Sequence, residues 1–389
     1  MELSSVDHIL LYCTIILLAY IYDRQCRVIN NIHYSYSNDT SVVTLFLLGT
    51  IFVITEGLRY GRGVDQCGNY GPFYLHCMNA RAWFQEFETL FVWLNQAIYK
   101  IDPFRDVLPF GIIFVVYALI FFICLYTYYK DKKKETKLFL VMAILATNYI
   151  TEWTIRQGVS FSFILLGLHY LEQKRWKWMI GAMVIAFSIH HGNILAIVLP
   201  VVFYFFLNDK VIPWKITVPL FIVMEYTMQI SVFQDFVHII SGYLDLSSSD
   251  VTLVGYMQDD ALAREAEESE AWKRGIVTQL MTVFFYSSVL IVGAEACKVK
   301  NKVTYIYNAF VVGIMILEPF RLAGSITRMF LVLSCLWFIP VAYAIYNYKQ
   351  INHNNKMVKW AFLLIICYLF SYYGRYVFLN ADANYIWDL

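Results

Sequence analysis

Apolar residues in this chain come in unbroken runs close to the roughly 20 residues that span a bilayer, and lysine-rich stretches separate several of the runs. Hydrocarbon cannot solvate backbone N–H and C=O groups, so runs of this kind must close their own hydrogen bonds as helices. An outer-membrane barrel would instead alternate apolar and polar residues in short strands. Twelve runs are read, near 7–23, 41–57, 108–129, 138–154, 158–171, 178–190, 193–207, 215–233, 275–294, 303–317, 329–346 and 359–373. Composition agrees: 59% of the 389 residues are hydrophobic, 15% are charged, and the formal net charge is +1. Such a balance excludes a disordered chain, a soluble domain of this length and a basic nucleic-acid binder. The expected fold is all-α, a polytopic single transmembrane domain over 1–389, with two long loops at 58–107 and 234–274.

The stretch 178–207 is long for one span and short for two. Its centre, Ser188-Ile189-His190-His191-Gly192-Asn193, is polar and carries a helix-weakening glycine. A tight hairpin is expected there; the alternative is one long, tilted helix. Orientation follows from the basic residues. One set of loops collects 18 of the 30 Lys and Arg, led by 130–137 (KDKKKETK), and the other set carries 22 of the 29 Asp and Glu. The basic side is expected to be cytoplasmic, with both termini outside. The N-terminus MELSSVDH lacks the basic region of a cleavable signal peptide.

Polar residues gather on the expected outer face. Segment 58–70 mixes Arg59, Arg62, Asp65 and Tyr70 with glycines, either as a structured turn presenting charge or as a solvated loop. Trp83, Phe87, Leu90, Leu94 and Ile98 recur at helical spacing, with Glu88, Asn95 and Gln96 on other faces, which predicts an amphipathic interfacial helix. Arg156 and Gln157 follow the fourth run, His190 and His191 lie in the hairpin, and Arg321 and Arg328 lie between the tenth and eleventh runs. Singly, an arginine at a span end snorkels to the headgroups. As a set, Arg59, Arg156, Arg321 and His190 suit a polyanion such as pyrophosphate, because the guanidinium fork pairs phosphate oxygens bidentately. No Walker or dinucleotide-binding glycine motif appears, nor a DxD pair. The eight cysteines show no zinc spacing, although Cys67 and Cys77 are close enough in one outer loop to bridge. Neither metal nor cofactor is expected, so the energy of any reaction must arrive in the substrate.

Leu58-Arg59, Gly63-Val64-Asp65 and Tyr70 resemble the first signature of EpsG-like proteins, a branch of the Wzy-type bacterial polysaccharide polymerases. Glu88-Thr89-Leu90-Phe91 is similar to that family's Glu-x-x-Phe segment, Arg156-Gln157 to its Arg-Gln motif, and Ala186 to His190 to its Ala-x-x-x-His motif. Arg321 matches a later arginine. The resemblance runs from about 45 to 345; Arg62 makes the first motif more basic, and Gly192-Asn193 stand where relatives carry small residues. It implies a GT-C-like glycosyltransferase of the bacterial cytoplasmic membrane, working on the outer face on undecaprenyl-pyrophosphate-linked oligosaccharides as donor and acceptor. A chain-length regulator and a flippase are the implied partners, with no nucleic acid. Arg156 and Arg321 would hold pyrophosphate, with Arg59 orienting the first loop or taking a second phosphate. His190 or Asp65 would accept the acceptor's proton, and Arg62, Tyr70, Glu88, Gln157, His191 and Arg328 would complete the site. Two alternatives remain at this level: a ligase using the same donor chemistry, and a transporter of lipid-linked sugars.

Overall fold

In a computed structural model, residues 5–31, 38–60, 71–78, 88–152, 154–227, 276–317, 324–352, 356–378 and 384–385 are described. In chain order they form α1 (Val6–Asn31), α2 (Asn38–Gly57), β1 (Arg59–Tyr60), α3 (Gly71–His76), α4 (Thr89–Ile101), α5 (Ile113–Lys130), α6 (Phe139–Glu152), α7 (Ile155–Glu172) and α8 (Trp176–Ile189). A 3-10 turn (His191–Asn193) leads into α9 (Ile194–Phe206), followed by α10 (Trp214–Thr227) and α11 (Ile276–Val299). The remainder is α12 (Thr304–Leu317), α13 (Gly324–Cys335), α14 (Phe338–Tyr346), α15 (Tyr348–Asn352), α16 (Lys356–Phe378) and β2 (Asn384–Tyr385). The fold is almost wholly helical. Six helices are long and apolar enough to cross a membrane, and four shorter ones are also apolar, among the described residues. Phe46 on α2 and Phe370 on α16 are 71% and 83% exposed, as side chains facing lipid would be.

Among the described residues every expected run overlaps helix; 228–233 of the eighth lie outside them, and the eleventh is interrupted at Leu336-Trp337, between α13 and α14. The third begins at Ile113 rather than 108. Asp102 holds the preceding turn, accepting from the N–H of Phe104 (2.8 Å) and Ile112 (2.9 Å) and from the Tyr74 hydroxyl (2.6 Å). The hairpin reading of 178–207 is the observed one. His190 is extended (φ −153°, ψ 104°) and ends α8, while the Trp176 ring stacks on Phe205 at 5.5 Å. The first turn of α8 therefore meets the last turn of α9, and the two helices run antiparallel.

Polar ties collect at two opposite ends of the bundle, and they sort the loops as the charge pattern requires. At one end Lys132 pairs with Glu172, which also accepts from the Tyr305 hydroxyl (2.6 Å). The ammonium lies over the Tyr128 ring at 4.5 Å, which helps offset the cost of burying it. Glu135 meets Lys300 (3.1 Å) and Lys302 (3.4 Å), and Asp23 accepts from the Leu138 N–H (3.2 Å). Asn308 clamps the 207–212 turn, donating to the carbonyls of Leu207 and Lys210 and accepting from the Ile212 N–H. All these residues belong to, or flank, loops read as cytoplasmic. The other end carries Tyr12, Glu56, Arg59, Glu88, Arg156 and His190, and there β1 pairs antiparallel with β2, Arg59 opposite Tyr385. Reporter fusions at residues 133 and 255 are expected to give opposite compartment signals; equal signals would overturn this alternation.

Two expectations in the first long loop are corrected. The helix expected over 83–98 has its described part at Thr89–Ile101, and its buried residues are Phe91, Val92, Asn95 and Ile98, with Leu90 and Leu94 of the expected stripe only partly buried beside them. Asn95, read as a polar-face residue, is buried because it accepts from the Tyr117 hydroxyl (2.9 Å) and donates to the Phe91 carbonyl (2.7 Å). Cys77 is a free thiol, fully buried in a small core with Tyr74, Phe91, Val92 and Tyr117, and burial pushes its pKa up to about 11. It is not half of the expected bridge, and Cys67 lies outside the described residues. That small core fixes α3 and α4 against α5, α7 and α8, and so places the start of α4.

Candidate active site

Glu88 precedes the first residue of α4 with an extended backbone (φ −61°, ψ 136°) and makes no side-chain cap to its own helix. A residue at this position ordinarily turns its oxygen back onto the first N–H groups. Glu88 instead reaches across to two other helix ends. Its Oε2 accepts from Arg156 Nη1 at 2.5 Å, and its Oε1 accepts from His190 Nδ1 at 3.2 Å and from the backbone N–H of His191 at 3.0 Å. Arg156 is the second residue of α7, and His190 terminates α8. One carboxylate thus joins the starts of α4 and α7 to the break between α8 and α9. Burial pushes the Glu88 carboxyl up, but the His190 hydrogen bond and the Arg156 charge outweigh it and hold the pKa at about 2. Glu88 is therefore ionised throughout the neutral range and is a weak base there. An ionised carboxylate only accepts, so the proton on His190 sits at Nδ1.

The surroundings keep these groups in place. The Arg156 guanidinium lies 5.9 Å from the centre of the Phe91 ring, and the His191 ring stacks on Phe187 at 4.5 Å. Ser160 Oγ donates to the Ala186 carbonyl at 2.8 Å, tying α7 to α8, and Asn193 donates to the Gln157 carbonyl at 3.3 Å. Glycine at 192 matters for the histidine, since a Cβ there would stand 2.8 Å from His190 Nε2. At 158 a Cβ would stand 2.6 Å from the Ile150 carbonyl oxygen, so only glycine lets α6 and α7 close this tightly around the turn that carries Arg156.

A second ion pair braces the same turn. Arg59 is 1% exposed; it donates to Glu56 Oε2 (3.1 Å) and to the Thr151 carbonyl (2.5 Å), and Tyr12 donates to Glu56 Oε1 (2.9 Å). Glu56, Arg59 and Thr151 also line a small cleft with Phe52, Tyr117 and Val159. Arg59 therefore acts on the α6–α7 turn, and through it on Arg156.

The order of these motifs along the chain now has an independent counterpart: the EpsG family model matches residues 42–387. The chain belongs to the EpsG family. No curated protein and no solved structure gives a significant match. EpsG-family proteins are of the polysaccharide-polymerase type, and the family is associated with glycosyltransferase-like polymerase activity. This chain is accordingly a multi-pass membrane protein of that type.

Within this EpsG-family chain, the structure brings Arg156, Glu88 and His190 together with the backbone of His191. Gln157 takes part through its carbonyl, and its side chain is buried. Arg59 sits in the neighbouring pair. Arg62, Asp65, Tyr70 and Arg321 lie outside the described residues. Arg328 is on α13, which packs against the His191–Asn193 turn, and its side chain lies outside the described set. Among the described residues no group of three His, Cys, Asp or Glu side chains is arranged to hold a metal ion. Sequence reading ranked Glu88 as peripheral and overlooked Tyr12. It also gave Glu56 no partner, although the three-residue spacing from Glu56 to Arg59 is a signal for an ion pair across a helix end.

Proposed function

We propose that this protein polymerises undecaprenyl-pyrophosphate-linked oligosaccharide repeat units on the outer face of the bacterial cytoplasmic membrane. In this reading it crosses the bilayer twelve times as a single GT-C-like domain, with the Glu88–Arg156–His190 end outside. The observation that carries the reading is that cluster: a guanidinium and an imidazole held by one carboxylate at one end of the bundle. In the reaction the acceptor sugar hydroxyl attacks the anomeric carbon of the donor. The bond from that carbon to the pyrophosphate oxygen breaks, and its electron pair leaves on undecaprenyl pyrophosphate. Arg156, joined by Arg321, offsets the charge growing on that leaving group. His190, oriented through Nδ1 by Glu88, takes the acceptor's proton on Nε2; Asp65 is the other candidate base. Arg59 holds the turn that carries Arg156.

The donor supplies the energy and the arginines supply the charge, so transfer should need no divalent cation. Purified protein in detergent, given a lipid-pyrophosphate-linked repeat unit and excess chelator, is expected to build a ladder of longer glycans. A substrate that stays at one repeat would overturn the polymerase reading. Loss of the ladder in chelator, restored by Mg²⁺ or Mn²⁺, would overturn the metal-free mechanism. Lengthening on the lipid carrier itself separates this reading from a ligase, and lengthening at all separates it from a transporter.

A further inference from the structure

Glu88 divides its two oxygens between groups that need different partners during transfer. Oε2 neutralises Arg156, while Oε1 holds the His190 ring and the His191 N–H. The carboxylate is buried, with its side chain 10% exposed, and Arg156 is 15% exposed beside it. The Nη1 edge that Glu88 occupies grips an incoming anion only by exchanging partners. A histidine that must accept a proton gains most from a carboxylate whose charge is not cancelled by a second cation nearby. Both demands are met by one movement, in which the anion takes Arg156 and Glu88 remains on His190.

We propose that Glu88 is a substrate-operated switch: in the empty site it occupies Arg156 as an internal counter-ion, and the diphosphate headgroup of the lipid-linked donor displaces it. Once displaced from Arg156, its charge acts on His190 alone. Loading the donor thereby activates the base, and the site stays idle when no leaving group is bound. Glu88 is in this scheme a positioning residue that touches neither the sugar nor the diphosphate. The inference rests on the pyrophosphate-linked donor proposed above, and binding alone tests it without requiring any transfer.

Removing the competing charge should tighten anion binding and weaken catalysis together. A merely structural Glu88 would weaken both. In the full-length protein in detergent, Glu88→Gln is expected to bind inorganic pyrophosphate and farnesyl diphosphate about tenfold or more tightly than the parent, since apparent affinity scales with the fraction of sites that Glu88 has vacated. Adding Arg156→Lys should remove that gain. In transfer assays Glu88→Gln should lower KM for the donor while kcat falls about tenfold or more. Glu88→Asp retains the charge but lacks the reach to bridge Arg156 and His190; it should tighten binding by a smaller factor, and it serves where the glutamine variant unfolds. Diphosphate binding unchanged or weakened in both folded variants would overturn the switch and leave the polymerase reading standing. A gain confined to inorganic pyrophosphate would overturn the lipid headgroup as the displacing group.

Discussion

Arg156→Lys is expected to lose about 10²–10³ in polymerisation rate, the usual cost of removing one preorganised donor to developing charge, while the protein still inserts and accumulates. Lysine keeps the charge, so it can still neutralise Glu88 and hold the starts of α4 and α7 together. It lacks the planar fork that grips two phosphate oxygens at once. A guanidinium that only snorkels would tolerate this change, because both side chains reach the headgroup layer. The measurement is the glycan ladder from cells or from a detergent assay at matched protein levels. Arg321→Lys is the companion test, and the same loss is expected if both arginines hold one pyrophosphate. Normal ladders from both variants would remove the pyrophosphate pocket from this account.

His190→Gln should be as damaging for a different reason. The glutamine amide can still donate to Glu88, so the joint between α8 and α4 is retained. It cannot accept a proton at neutral pH, and general-base catalysis typically contributes about 10²–10⁴ in rate. Single-turnover transfer at saturating donor isolates the chemical step, and there the loss should appear in the rate with little change in donor affinity. An unchanged rate would move the base elsewhere, with Asp65 the first candidate.

The helices were legible because hydrocarbon leaves a chain so few options. Unbroken apolar runs and lysine-rich loops located the apolar helices, while the short α3 and α15 correspond to no run and α1 continues to Asn31, past its expected end at 23. The hairpin at His190 was legible for the same reason, since a polar, glycine-containing break has no place in the middle of a span. Errors came where tertiary contacts override periodicity. Asn95 looks like a surface residue until Tyr117, on another helix, supplies the partner that makes its burial tolerable. Asp102 delays α5 by capping a turn, and no apolar pattern encodes that. In the site, charge type and face were visible but pairings were not. Arg59 and Arg156 read alike in the sequence. One is wholly buried as a brace and the other stands at the carboxylate hub, and the contacts that place them there, Arg59 to the Thr151 carbonyl and Arg156 to Glu88, each span more than 60 residues of sequence.

The polar ties at the Lys132–Glu172 end bear on how the product leaves. They join α1, through Asp23, and the turns after α5, α7, α9 and α11 into one network of ion pairs and hydrogen bonds. A carrier that works by alternating access must part such contacts at each end in turn. In the proposed reaction the reacting groups and the network sit at opposite ends, so the catalytic cycle would leave the network intact. Under the proposed function, glycan assembled at the Glu88 end would stay in the compartment where it was made, and the spent carrier lipid would depart sideways into the bilayer.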